Sequence, residues 1–188
     1  FKEPAPEMLQ IHPTTGQIRL KDGARFDYET AHEINFVVLV TTLDSSSRPH
    51  EQHVRIKLTD INDELPEFVN KPQPFLATVS TNAAPGTSVY QLMAQDADDD
   101  SLVKYELDSG GEDRFEVDAE NGVVRTKGNQ PFHLGKEYEI GVSARDTRAD
   151  SLQKSPTHSL KIYVGQRDPQ FFKTQYVASV PETARENT

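Results

Sequence analysis

This chain repeats itself. The first segment runs Leu9-Gln10-Ile11, Thr15-Gly16-Gln17-Ile18, Phe36-x-Val38-x-Val40-x-Thr42-x-Asp44, Val54-x-Ile56-x-Leu58 and Leu65-Pro66-Glu67-Phe68. The second runs Phe115-Glu116-Val117, Asn121-Gly122-Val123-Val124, Tyr138-x-Ile140-x-Val142-x-Ala144-x-Asp146, Leu160-x-Ile162-x-Val164 and Asp168-Pro169-Gln170-Phe171. Order and spacing match, offset by about 100 residues. Solenoid repeats are only about 20–50 residues long, so this period predicts tandem whole domains.

Within each copy the apolar residues alternate. Phe36/Val38/Val40 and Tyr138/Ile140/Val142/Ala144 place one apolar and one polar face along an extended backbone, the pattern of a half-buried antiparallel strand. Turn signals separate the stretches: Pro85-Gly86, Ser109-Gly110-Gly111, Asn121-Gly122, Gly128-Asn129 and Ser155-Pro156. No stretch carries a capped helical stripe. Seven strands are predicted between the joints, near 74–80, 88–95, 102–107, 114–118, 123–126, 137–145 and 157–164. The predicted fold class is all-β, in tandem seven-stranded Greek-key β-sandwiches. Residues 1–66 are expected to be the C-terminal part of one repeat, 67–167 a complete repeat, and 168–188 the first strand of a third.

Composition narrows the function. Apolar residues make up 35%, below the usual 45–50% or so, which suits thin β domains. With 20 Lys+Arg against 30 Asp+Glu, the formal charge is −10, so nucleic acid is a poor partner and cations are good ones. No Cys is present, which excludes disulfides and thiolate metal sites. No Gly-x-Ser-x-Gly or phosphate-binding glycine loop occurs, and no nucleophile–base set is visible, so neither an enzyme nor a small-molecule substrate is expected. His50 and His53 enter an alternating strand, point to opposite faces and read as an exposed polar edge.

The densest chemistry is Asp60-Ile61-Asn62-Asp63-Glu64, at the first joint. Further carboxylates fall at Asp27-Tyr28-Glu29, Asp96-Ala97-Asp98 and Asp146, each beside a predicted strand end. Hard cations such as Ca²⁺ take six to eight or so oxygen ligands, and alternating acidic residues on an extended backbone offer several on one side.

These residues carry a family resemblance. Asp60-Ile61-Asn62-Asp63-Glu64-Leu65-Pro66-Glu67-Phe68 resembles the linker between cadherin repeats. Asp27-Tyr28-Glu29 resembles the family's Asp-Arg-Glu motif, Ala94-Gln95-Asp96-Ala97-Asp98 its Ala-x-Asp-x-Asp motif, and Val142-Ser143-Ala144-Arg145-Asp146 its Val-x-Ala-x-Asp strand. The resemblance implies three Ca²⁺ at the joint. Asp27, Glu29 and Asp63 would hold the outermost. Glu29, Asp60, Asp63, Asp98 and the Ile61 carbonyl would hold the middle ion. Asn62, Asp96, Asp98, Asp146 and the Glu64 carbonyl would hold the third. A further Glu, from the first strand of the upper repeat, has no counterpart in this chain. Seven carboxylates (Asp27, Glu29, Asp60, Asp63, Asp96, Asp98 and Asp146) would then bring a formal −7 to one joint. They repel without metal and lock with it.

The resemblance implies calcium-dependent cell–cell adhesion by an extracellular segment at the plasma membrane. Its partners would be other cadherin ectodomains, met homophilically, with the membrane anchor outside this stretch. The alternative is a calcium-stabilised β-sandwich module of a secreted carbohydrate-active protein or bacterial adhesin, against which the absence of Trp counts. The second joint departs from the pattern. Gln166-Arg167-Asp168 replaces the acidic run, Phe132-His133-Leu134-Gly135 stands where Asp27-Tyr28-Glu29 would recur, and Thr81 takes the place of a ligand Glu. That joint is expected to bind no Ca²⁺, to be bent, and to rest on direct contact through Phe171 and Phe172; the alternative is a merely flexible joint. Val180-Pro181-Glu182 would serve a later joint.

Overall fold

The computed structural model describes residues 1, 6–41, 48–111, 113–148 and 153–165. Thr42, Asp44, the segment Gln166–Asp168, Phe171, Phe172, the predicted third repeat and Glu182 therefore lie outside the described residues. The described residues form strands and no α-helix, and the chain divides into two compact units, Phe1–Ile61 and Asn62–Thr188.

The first unit holds two antiparallel pairs. β1 (Leu9–Ile11) pairs with β2 (Ile18–Leu20), and β3 (Glu33–Val40) pairs with β4 (His50–Lys57). The turn between β1 and β2 closes on His12, whose amide bonds the Gln17 carbonyl at 2.9 Å and whose carbonyl accepts the Gly16 amide at 2.9 Å. Leu9 and Phe36 are its buried apolar residues, and Phe1 meets Phe36 edge-on at 5.2 Å. The alternation expected for β3 fades along the strand, since Phe36 is buried while Val40 is exposed. His50 and His53 are both exposed on β4, as the sequence predicts.

In the second unit strands form in all seven predicted stretches, one of them broken in two. β6 (Phe75–Val79), β9 (Val103–Ser109), β12 (Glu137–Asp146) and β14 (His158–Val164) make one sheet. β12 is its spine, antiparallel to β9 along one edge and to β14 along the other, while β14 lies parallel to β6. β7 (Ser88–Gln91), β10 (Phe115–Val117) and β11 (Val123–Thr126) make the second sheet, in the order β10-β11-β7. The chain thus leaves β9 in one sheet and continues as β10 in the other, a Greek-key path.

Two details were not predicted. The strand expected over 88–95 is interrupted, and its continuation β8 (Ala94–Gln95) pairs with β5 (Glu67–Phe68). At the break the buried Asn70 side chain stands in for a strand: it accepts from the Met93 amide at 2.7 Å and donates to the Gln91 carbonyl at 2.9 Å. A short strand, β13 (Gln153–Lys154), also extends the β12 ladder beyond β14.

The inward faces of the two sheets form the core. Phe75, Leu92, Phe115, Val124, Ile140, Val142, Leu160 and Ile162 are at most 1% exposed, each side chain contributing about 1.5–3 kcal/mol by burial. The alternation in β12 disappears at its centre, where Gly141 and Ser143 are buried too. Ser143 can lie there because its hydroxyl donates to Asp108 at 3.0 Å. Gly122, at φ 70°, is required for a second reason: a Cβ there would stand 2.7 Å from the Leu92 carbonyl oxygen and 2.9 Å from the Tyr105 ring.

Candidate metal centre

The run Asp60–Glu64 crosses the boundary between the two compact units. Asp27, Glu29, Asp60 and Ile61 belong to the first, and Asn62, Asp63, Glu64, Asp96, Asp98 and Asp146 to the second.

In the first unit, Asp27 and Glu29 lie in the turn before β3. Both Asp27 carboxylate oxygens accept from Thr30, Oδ1 from its amide and Oδ2 from its hydroxyl, each at 2.9 Å. The backbone bond from Thr30 is the main reason the Asp27 carboxyl is held below the ordinary carboxylate range. Asp60 is half-buried and Ile61 is exposed just after β4. Asp63 is exposed in the second unit.

The second unit brings one predicted set together through its own hydrogen bonds. Asp96 and Asp98 follow β8, Asp146 ends β12, and Asn62 and Glu64 precede β5. The Asn62 side-chain amide donates to Asp146 Oδ2 at 2.6 Å and to the Asp100 carbonyl at 2.8 Å. The Glu64 amide donates to Asp98 Oδ2 at 3.0 Å, which fixes the Glu64 backbone beside that carboxylate. Asp146 Oδ1 accepts from the Leu102 amide at 2.7 Å and from the Arg148 amide at 3.0 Å. Asp98 and Asp146 are 5% and 2% exposed, a degree of burial carboxylates tolerate only when paired or coordinated.

The remaining acceptors in this cluster are not spent. Asn62 Oδ1, Asp96 Oδ2 and Asp98 Oδ1 are buried and accept no hydrogen bond from protein. Desolvation, joined by the charges of Asp98 and Asp146, pushes the Asp96 carboxyl up. A donor set made only of oxygens, carrying excess negative charge and buried lone pairs without a proton donor, fits a hard cation such as Ca²⁺.

Two contributors escaped the sequence reading. Gln153 donates to the Asn62 carbonyl at 2.8 Å, and its own Oε1 is buried without a donor. It stands in β13, a two-residue strand with no periodicity to announce it. Asp100 acts through its backbone carbonyl, on which side-chain type gives no information, while its carboxylate pairs with Arg148.

The residues expected to break the pattern at the second joint are partly described. Phe132 is buried against Phe115 and Tyr138, with ring centroids 5.7 and 5.8 Å away. His133, Leu134 and Gly135 are exposed and offer no carboxylate, and Thr81 is exposed just beyond β6.

With this geometry in view, the comparisons with known proteins decide the family. The cadherin domain family matches residues 75–164. Neural-cadherin of Drosophila melanogaster is 37% identical over 188 residues, covering 93% of this chain. The chain belongs to the cadherin superfamily. Cadherin-related hmr-1 of Caenorhabditis elegans is 38% identical over 184 residues, covering 95% of this chain. The chain spans 6% of the length of each of these two relatives. Among solved structures, Drosophila N-cadherin EC1-4 is similar with TM-score 0.75 and 36% identity, covering 89% of this chain and 42% of that one. Mouse cadherin-23 EC22-24 matches with TM-score 0.68 and 29% identity, over 84% of this cadherin segment and 49% of that chain. Among the described residues no helix is long and apolar enough to cross a membrane.

Proposed function

We propose that this cadherin segment is a stretch of ectodomain whose first joint is made rigid by Ca²⁺, in a protein that mediates calcium-dependent cell–cell adhesion. The observation that carries the reading is the set of buried, unspent side-chain oxygens on Asn62, Asp96 and Asp98, next to Asp146. Asn62, Asp96, Asp98, Asp146 and the Glu64 carbonyl are the ligand set we assign within the second unit. Asp27, Glu29, Asp60, Ile61 and Asp63 join the assignment on their match to the family motifs. Bound Ca²⁺ supplies the positive charge that lets these carboxylates stay ionised and close together. The chain's own residues hold the donors in place: Asn62 ties Asp146 to the Asp100 backbone, Gln153 anchors Asn62, and the Glu64 amide orients Asp98.

The partners are other cadherin ectodomains, met homophilically. The protein acts on the extracellular side of the plasma membrane and performs no enzymatic chemistry. The relatives found are themselves cadherins, so the carbohydrate-active or bacterial-adhesin alternative has no separate support. At the second joint we propose no Ca²⁺ and a bend. Phe132 turned into the core and Thr81 at the neighbouring end of β6 leave the described part of that end without a carboxylate pair. Counting bound calcium per chain by titration calorimetry tests both parts. Asp63→Ala should lower the stoichiometry and Asp168→Ala should leave it unchanged; unchanged stoichiometry in Asp63→Ala refutes the ligand assignment.

A further inference from the structure

We propose that Arg114 is a built-in cation that positions the loop 130–135, so that this end of the second unit keeps its shape without a divalent ion. In the first unit the turn before β3 carries Asp27 and Glu29. The matching segment before β12 carries no carboxylate, yet it is tied down from below by one guanidinium. Arg114 Nη2 donates to Gln130 Oε1 at 2.9 Å, and Nη1 donates to the Pro131 carbonyl at 3.1 Å and the Gln130 carbonyl at 3.4 Å. The same guanidinium carbon lies 5.6 Å from the Phe132 ring centre and 5.7 Å from that of Tyr138, within cation–π range.

The charge is largely withdrawn from water, the Arg114 side chain being 14% exposed. Its carboxylate partner among the described residues is Asp113, 3.9 Å away and 74% exposed, an arrangement worth little. The guanidinium is therefore balanced mainly by carbonyl dipoles and aromatic faces, all but one of these groups belonging to the loop it holds. Arginine is the residue suited to this task, since its planar fork reaches several acceptors while its face rests on rings. Lys136 adds a second cation at Tyr138, with Nζ 4.8 Å from that ring centre. The loop then docks on β14: the Gly135 amide bonds the Val164 carbonyl at 3.0 Å and the Val164 amide bonds the Lys136 carbonyl at 2.8 Å.

Hydrogen exchange on the full 188-residue chain, with calcium and with chelator, tests the inference. Arg114→Met keeps side-chain length but removes the donors and the charge. It should speed exchange of the Gly135 and Lys136 amides about tenfold or more, the factor expected for lost charge-assisted hydrogen bonds, and leave the centres of β11 and β12 protected. Arg114→Lys should not restore protection, because an ammonium cannot span the three acceptors. In wild type, protection of the two loop amides should be the same with and without calcium. Loop exchange unaltered in Arg114→Met, or wild-type loop protection that collapses in chelator, overturns the proposal. If Arg114→Met unfolds the unit altogether, Gln130→Ala decides: it deletes one exposed acceptor, and exchange confined to the loop and severalfold faster supports the role, whereas no change refutes it. None of these outcomes depends on calcium stoichiometry, so they stand apart from the test of the metal centre.

Discussion

Asp98→Asn should change stability in opposite directions depending on calcium. The side chain is 5% exposed; Oδ2 accepts the Glu64 amide at 3.0 Å and Oδ1 accepts nothing from protein. Asparagine has the same shape and can still accept the Glu64 bond through its one oxygen. What it removes is a negative charge beside Asp96 and Asp146, and the charge of Asp98 is one of the causes that push the Asp96 carboxyl up. Two like charges about 4 Å apart repel by about 1 kcal/mol in water and about 4 kcal/mol at an effective dielectric of 20. In chelator the variant should therefore be as stable as wild type or more so. A gain of about 1 kcal/mol would appear as a Tm rise of about 4–8 °C for a domain of roughly 100 residues. With calcium the sign reverses. A site with Kd on the order of 10⁻⁴–10⁻³ M stabilises the folded chain by about 1.4–2.7 kcal/mol at about 10 mM calcium, and the variant forfeits most of that. The assay is thermal unfolding of both proteins in calcium and in chelator. A variant that melts lower by the same amount in both buffers would mark Asp98 as an ordinary structural acceptor and not a metal ligand.

Away from the metal centre, Asp108 accepts from Lys154 at 2.7 Å, Thr157 at 2.7 Å and Ser143 at 3.0 Å. Desolvation opposes its ionisation, but these bonds outweigh it and hold the carboxyl below its ordinary 3.8. Its contribution is thus present above pH 3.8 and is lost as pH falls through the lower folded-state value. Asp108→Asn should cost about 1–3 kcal/mol near neutrality, read by urea denaturation, and the two proteins should converge in strong acid. His158 stacks on Phe75 at 5.5 Å and meets Phe68 edge-on at 5.1 Å, with desolvation first and Lys71 second lowering its pKa below 6.5. That stability is full above pH 6.5 and declines as pH drops toward the folded-state value. His158→Phe should flatten Tm between about pH 7 and 5 relative to wild type, and an unchanged slope would show that other groups set it. Gly122→Ala should cost about 1–2 kcal/mol from its positive φ alone, and more from the approach to Leu92 and Tyr105, as measured by denaturant midpoint.

The strands of the second unit were legible because burial on one face imposes a period of two on side chains, and β6, β11 and β14 obey it closely enough to place each end within a residue or two. Legibility failed where a side chain replaced the ladder. Nothing in the pattern tells that Asn70 bridges the break after β7, or that Gln153 belongs to a two-residue strand. The carboxylates of the candidate site were legible as motifs, since an oxygen cage needs acidic side chains at strand ends. Its scaffolding was not, because the Asp100 carbonyl and the Glu64 amide are backbone groups that every non-proline residue has. Arg114 was invisible for a related reason: its partners at 130–132 are distant in sequence and are reached mainly through carbonyls and rings.

One strand connects the two chemistries of the second unit. Tyr138 sits near the start of β12 and Asp146 at its end, about 26 Å apart at roughly 3.3 Å per residue. At the Asp146 end, Asp96 and Asp98 keep buried oxygens that accept no hydrogen bond from protein, and on the proposed function a cation would relieve the repulsion among these carboxylates. At the Tyr138 end, the cations are covalent parts of the chain and their acceptors are already filled. Strand pairing of β12 to β9 and β14 runs through the span between the two ends, so each end is expected to respond separately. Calcium removal should accordingly raise exchange of the backbone amides at Glu64, Asp98 and Leu102 while leaving Gly135 and Lys136 as they were. Joint loosening at both ends of β12 would mean that the ladder couples them.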